Sequence, residues 1–192
     1  MSLGRLYVFY TLAWWEGAVV QQQRLFFALW PSTHLQQQWA EMARTLLFAT
    51  EGRLVPSSNL HLTLAFLGNV SAEQRDCAEA VASDLRMCRF SLLMEQVGYW
   101  HRSHVVWLGA RRTPVRLRSL AQQLSAGLVR CGFEVEKRDY KAHMTLMRKV
   151  FHGPERAVFD PIEWDVDRFV LVESQLTPRG AHYRIVGEWF LV

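Results

Sequence analysis

The chain has 192 residues, half of them hydrophobic and 12% aromatic, which excludes a disordered segment and allows a sizeable core. A net charge of +4 is mild; it permits an anionic partner without proving one. Lysine occurs only at 137, 141 and 149, so arginine carries most of the positive charge, a bias that suits bidentate phosphate contacts but follows equally from a GC-rich genome.

Residues 1–23 read as an extension. Arg5 precedes the apolar run Leu6 to Trp15, which is too short to span a membrane and resembles a weak signal-peptide core. The body begins at Gln23-Arg24. Leu25 to Trp30 reads as a central strand ended by Pro31. Ser32 or Thr33 caps a helix from His34 to Ala49, with Leu35, Trp39, Met42, Leu46 and Ala49 at helical spacing. A loop from Gly52 to Asn59 leads into the apolar run Leu60 to Leu67, closed by Gly68-Asn69. Ser71 and Gln74 form a capping box for a helix reaching Met87.

Phe90–Tyr99 and His104–Leu108 read as a strand pair, and Pro114 opens a helix running to Arg130. Phe133 to Val135 is a short strand or connector. A second apolar strand spans Ala142 to Val150. Phe159–Trp164, Arg168–Leu176 and His182–Val192 complete the chain, the last two joined by a turn at Thr177-Pro178-Arg179-Gly180. Three helices and seven or more strands, many in direct succession, favour an antiparallel α+β fold over a doubly wound parallel sheet. The order strand, helix, strand recurs, which suggests two related lobes in one domain over residues 24–192. The cysteines, Cys77, Cys88 and Cys131, are scattered and lack metal-ligand spacing. Disulfides and structural zinc are therefore not expected, and a reducing cytoplasm is the default.

Two stretches organise the rest: His61-Leu62-Thr63-Leu64 and His143-Met144-Thr145-Leu146. On a strand, residues two apart share a face, so each motif presents an imidazole beside a hydroxyl. One histidine on an apolar strand is more often a core residue than a catalyst. Two copies with the same flanking pattern point to one site with two similar halves. Two facing imidazoles divide acid and base roles near neutral pH, each worth ~10²–10⁴-fold in rate. Thr hydroxyls donate to phosphoryl oxygens. No carboxylate accompanies either histidine and no third histidine lies at metal spacing, which argues against a metal hydrolase and a Ser-His-Asp site. In-line attack on a phosphodiester fits this set of groups.

The paired motifs resemble those of the two-histidine (2H) phosphoesterase superfamily. The flanks Leu25 to Leu29, Val55-Pro56, Asn59, Phe66-Leu67-Gly68, Val106 to Gly109, Arg148 and Val172-Glu173-Ser174 are similar to the LigT/ThpR branch, the RNA 2',3'-cyclic phosphodiesterases also called 2'-5' RNA ligases. The resemblance implies a bilobal fold, two mostly antiparallel sheets around a central cleft with pseudo-twofold symmetry, and helices outside. It implies metal- and cofactor-free hydrolysis of a 2',3'-cyclic phosphate to a 2'-phosphomonoester. His61 is then the proton donor, His143 the proton acceptor, and Thr63 and Thr145 hold the non-bridging oxygens; the residues themselves do not tell which histidine is which. The partners implied are RNA ends or small cyclic nucleotides, met by a cytoplasmic monomer without a membrane. Ligation by the same site and a non-catalytic RNA-binding module are the alternatives.

Several neighbours stay open at this level. Arg148 matches the family's arginine and is a candidate substrate-binding residue; strict alternation sets it on the Met144 and Leu146 face, opposite His143, so it contacts phosphate only if the strand bends or ends there. Lys141 stands near a position usually held by proline and reads as a solvated strand end or a cleft cation. Arg53 reaches the cleft mouth or only solvent. Trp100 and Trp107 stack on a base or pack a core. His101, His104, His152 and His182 lack the threonine partner and are left out.

Overall fold

The computed structural model describes residues 22–48, 50–134, 139–154, 158–178 and 180–192. The extension expected over 1–23 lies outside these residues apart from Gln22 and Gln23, as does Ala49, the expected end of the first helix. The strand after the extension is β1 (Gln23–Leu29), with Leu25 to Leu29 buried on both faces. α1 (Thr33–Leu46) is capped by the Ser32 hydroxyl, which accepts from the Leu35 N–H. β2 (Arg53–Leu54) and a 3-10 turn (Ser57–Asn59) lead to β3 (Leu62–Val70). β3 does not stop at Gly68; that glycine, at φ +73°, sits within the strand. α2 (Ala72–Asp84) opens on the Ser71/Gln74 capping box and ends before Met87, where Leu85 turns extended.

The stretch read as one strand from Phe90 to Tyr99 divides at Glu95 into β4 (Phe90–Met94) and β5 (Gln96–Trp100), followed by β6 (Val105–Gly109). α3 (Val115–Arg130), β7 (His143–Arg148), β8 (Ile162–Val166), β9 (Arg168–Thr177) and β10 (Gly180–Phe190) follow. The α+β class with antiparallel sheets holds. One sheet runs β10-β9-β1-β3-β7-β6-β5, with β2 added beside β7, and a second pairs β4 with β8. The main core lies where Leu25, Phe27, Leu29, Leu62 and Met144 meet Trp39 of α1 and Leu117, Leu120 and Leu124 of α3. A smaller cluster of Phe26, Ala28, Val170 and Val172, with Trp30 and Tyr183 against it, covers the opposite face.

The two halves join along β7, which pairs with β2 at Arg53–Arg148 and Leu54–Met147 and with β3 at one registered pair, Leu62 opposite Met144. Each is the residue after its motif's histidine. An antiparallel pair is locally twofold, so an axis through Leu62 and Met144 relates the two motifs. The rest of the register obeys it. Leu29, Ala28, Phe27 and Phe26 of β1 face Leu62, Thr63, Ala65 and Phe66; Leu108, Trp107, Val106 and Val105 of β6 face Met144, Thr145, Met147 and Arg148.

The expectation of no disulfide is overturned. Cys77 on α2 and Cys131 at the end of α3 are bonded, with Cα atoms 5.8 Å apart. They lie 54 residues apart in sequence, and only the packing of the two helices brings them together. Gly127, one turn before Cys131, leaves room for Val81 where any Cβ would collide. Cys88 remains free and exposed. Among the described residues no helix is long and apolar enough to cross a membrane.

Closing a loop of this length stabilises by about 2–4 kcal/mol, chiefly by constraining the unfolded chain. Cys77→Ser is expected to unfold at lower denaturant than the parent without reductant, and the difference is expected to vanish in dithiothreitol. Identical midpoints without reductant would show that the bridge does not form.

Candidate active site

Extending the Leu62–Met144 register by one residue each way sets His61 opposite Thr145 and Thr63 opposite His143. All four are half-buried and line one cavity of about 370 Å³. The residues before the first motif are tied down. Buried Gln36 of α1 donates from Nε2 to the Leu60 carbonyl at 3.0 Å, and Asn59 Nδ2 donates to the Ala181 carbonyl at 2.8 Å. Tyr140, three residues before His143, donates its phenol to the Thr63 carbonyl at 2.9 Å. Burial pushes that phenol above its ordinary range, so it stays a donor. This bond ties the lead-in of the second motif to the first.

Arg148 lines the same cavity, which corrects the alternation argument. On β7, Thr145 faces Trp107 while Met147 faces Val106, so Leu146 is an extra residue. Such a bulge reverses the alternation beyond it. Leu146 and Met147 are both buried, and Arg148 emerges on the histidine side. β3 has the same irregularity. Thr63 faces Ala28 while Ala65 faces Phe27, making Leu64 the extra residue and bringing Phe66 to the cleft at 71% exposure. Phe66 and Arg148 are therefore equivalent positions, each five after its histidine. One half of the cleft carries a ring where the other carries a guanidinium.

The two imidazoles share one anchoring bond. His61 Nδ1 lies 2.7 Å from the Asn59 carbonyl, and His143 Nδ1 lies 2.8 Å from the Lys141 carbonyl. A carbonyl only accepts, so each Nδ1 carries the proton and each neutral ring leaves Nε2 unprotonated. Their surroundings differ. Trp30 stacks on His61 with centroids 5.3 Å apart and planes at 7°; Phe26 lies at 4.9 Å, and Tyr183 meets it edge-on at 5.2 Å. Burial is the main cause that lowers His61 from 6.5 to about 4. The positive charges of Arg148 and His143 act the same way, against the Asn59 hydrogen bond. Beside His143, Trp100 stands edge-on at 4.5 Å and leans on Trp107 at 5.5 Å. Trp107 lies over Gly98, which has no room for a Cβ.

Of the open neighbours, Arg53 and Trp100 line the cavity. Lys141 is exposed and contributes its carbonyl. His101, His104, His152 and His182 are not among the lining residues. Among the described residues no three of His, Cys, Asp and Glu gather as metal ligands. Trp30, Phe66, Tyr140 and Tyr183 were not picked out from the sequence. The period-two run Phe26, Ala28, Trp30 is the one signal that placed a tryptophan on the motif face. As a set, two imidazoles, two hydroxyls and a guanidinium around one cavity can bind an anion and move protons at two ends of it.

Comparison with known proteins shows the family. Residues 31–178 match the sequence profile of the 2'-5' RNA ligase superfamily. The RNA 2',3'-cyclic phosphodiesterase of Escherichia coli strain K12 is 35% identical over 175 residues, which cover 89% of this chain and 98% of the relative. The enzyme of that name from Thermotoga maritima is 32% identical over 177 residues, 86% of this chain and 94% of its own. The crystal structure of E. coli LigT complexed with 3'-AMP is similar with a TM-score of 0.81 at 34% identity, over 90% of this chain and 99% of that one. On motif, fold and extent of match alike, the chain belongs to the 2'-5' RNA ligase superfamily.

Proposed function

We propose that this protein hydrolyses a 2',3'-cyclic phosphodiester, at an RNA end or on a small cyclic nucleotide, to a 2'-phosphomonoester, by acid–base catalysis between His61 and His143 without a metal. The observation that carries this is the Leu62–Met144 pair, which sets two imidazole–hydroxyl pairs around one cavity. The phosphate lies between Thr63 and Thr145, whose hydroxyls donate to the non-bridging oxygens, and Arg148 adds a charged donor. His143 Nε2 takes a proton from water. The water oxygen forms a bond to phosphorus as the bond to O3' breaks, and O3' takes the proton from His61 Nε2. His143 ends protonated and His61 neutral, and exchange with solvent resets both. Phe66, across the cleft from Arg148, offers a face for the base.

A proton on His61 needs the substrate. In the empty cleft its ring is neutral above about pH 4. A bound phosphodiester offsets both its burial and the repulsion from Arg148 and His143, and so favours the charged ring only in the complex. The reaction needs one proton on the pair, carried by His61 when O3' leaves; the pH dependence follows the singly protonated pair as a whole. We place the protein in the cytoplasm as a monomer.

His61→Ala and His143→Ala are each expected to lower hydrolysis of a 2',3'-cyclic nucleotide by ~10²–10⁴-fold with folding intact, and EDTA is expected to have no effect. Near-parental turnover in either variant would sink the assignment. The pH dependence follows from the same residues. A second proton on the pair abolishes activity and goes on with the low value of His61, so kcat/KM is expected to hold as pH falls below 6.5 and to drop only near 4. An acid limb at the ordinary histidine value would show that His61 is not desolvated as described.

A further inference from the structure

We propose that Trp30 is a positioning residue for His61, its indole face holding the imidazole plane so that Nε2 points to the substrate. The inference rests on the reading of His61 as a proton-transfer group. It begins from a break in the pseudo-twofold symmetry. Continuing the equivalence of β1 and β6 past Leu29 and Leu108, Trp30 corresponds to Gly109, which faces His143. One histidine therefore has the largest side chain across from it and the other has none.

The consequence is geometric. An imidazole has two side-chain torsions to fix. The bond from Nδ1 to the Asn59 carbonyl fixes one edge of His61. The nearly parallel Trp30 ring fixes its plane. Tyr183 stands perpendicular to both, at 89° to His61 and 85° to Trp30, and closes the side. Pro31 restrains the Trp30 backbone to extended conformations, so the indole is held from its own main chain as well. His143 has the equivalent carbonyl bond, but its aromatic neighbour Trp100 meets it at 71° rather than in a stack.

The stack acts on protonation in two opposed ways. It excludes water from one ring face, which disfavours the charge. It also presents a π face to the imidazolium, which favours it. Burial dominates in the empty cleft. Among the described residues, the titratable and charged groups facing His61 are His143 and Arg148 from β7, Arg53 from β2 across the cavity, and Tyr183 from β10; β1 and the residue after it contribute the uncharged rings of Phe26 and Trp30. Removing the indole admits water without altering any of those charges.

The test uses the full chain with Trp30→Ala and Trp30→Phe, with histidine ring NMR titration of the free protein and steady-state kinetics on a 2',3'-cyclic nucleotide. In Trp30→Ala the His61 midpoint is expected to rise by about one pH unit or more toward its ordinary value, and the acid limb of kcat/KM to rise with it. Its kcat is expected to fall by about tenfold to 10²-fold, the range for a slightly misplaced reacting group, with KM changed little. Trp30→Phe, which keeps a stacking ring, is expected to restore most of both. An unmoved His61 midpoint in Trp30→Ala overturns the proposal. So does Trp30→Phe behaving like the alanine variant; if the alanine variant does not fold, an unshifted midpoint with low kcat in the phenylalanine variant serves the same end. A moved midpoint in a protein that turns over no cyclic phosphate upholds the positioning of His61 and removes the catalytic reading instead.

Discussion

The contact between Leu62 and Met144 is the constraint on which the rest of this molecule depends. Both side chains are fully buried, and burial of such residues is worth about 1.5–3 kcal/mol each. The energy is ordinary; the position is not. It is the sole registered pair between β3 and β7, with β1 and β6 taking up the outer edges of those strands. The faces opposite Leu62 and Met144 carry the histidines and threonines. Packing in the core thereby sets the spacing of polar groups in the cleft. The Tyr140 bond to the Thr63 carbonyl reinforces the same junction.

Symmetry at that junction is a property of the backbone, and its breaking is a property of side chains. Both motif strands carry a bulge after the threonine, and both bring the fifth residue after the histidine into the cleft. The bulge is a shared device for re-aiming a side chain. What it delivers differs: Phe66 on one half and Arg148 on the other. One strand earlier, Trp30 stands where Gly109 stands. A symmetric frame filled this way carries charge on one side of the cavity and an aromatic face on the other.

Much of this was legible in the sequence. An apolar run before Pro31 marked β1, helical spacing marked α1, Pro114 marked the start of α3, the capping box marked α2, and the repeated His-x-Thr-Leu marked the candidate site. What escaped has physical reasons. Period-two reasoning sends Arg148 away from His143, because a bulge leaves no mark in composition. The split at Glu95 is invisible for a like reason: β4 and β5 read as one alternating run, and only a partner strand some 70 residues on, β8, tells them apart. The Cys77–Cys131 bond depends on two helices packing closely at Gly127, a tertiary contact with no local signature. Trp30 reads as the end of a strand and stands one residue past it; its stack on His61 arises from the fold of the neighbouring strand.

The electrostatics of the cleft follow from these placements. The chain as a whole is only mildly basic, yet β2 and β7 set Arg53 opposite Arg148 in register, both lining a cavity that also holds two imidazoles. Like charges opposed on neighbouring strands repel. The effect reaches His61, whose proton affinity is lowered by Arg148 and His143 as well as by burial. On the proposed mechanism, an anion between these groups relieves the repulsion and raises the proton affinity of His61 in a single event. Substrate binding and charging of the proposed acid are then one coupled equilibrium, because the charge that the cleft would recognise is the charge that this acid requires.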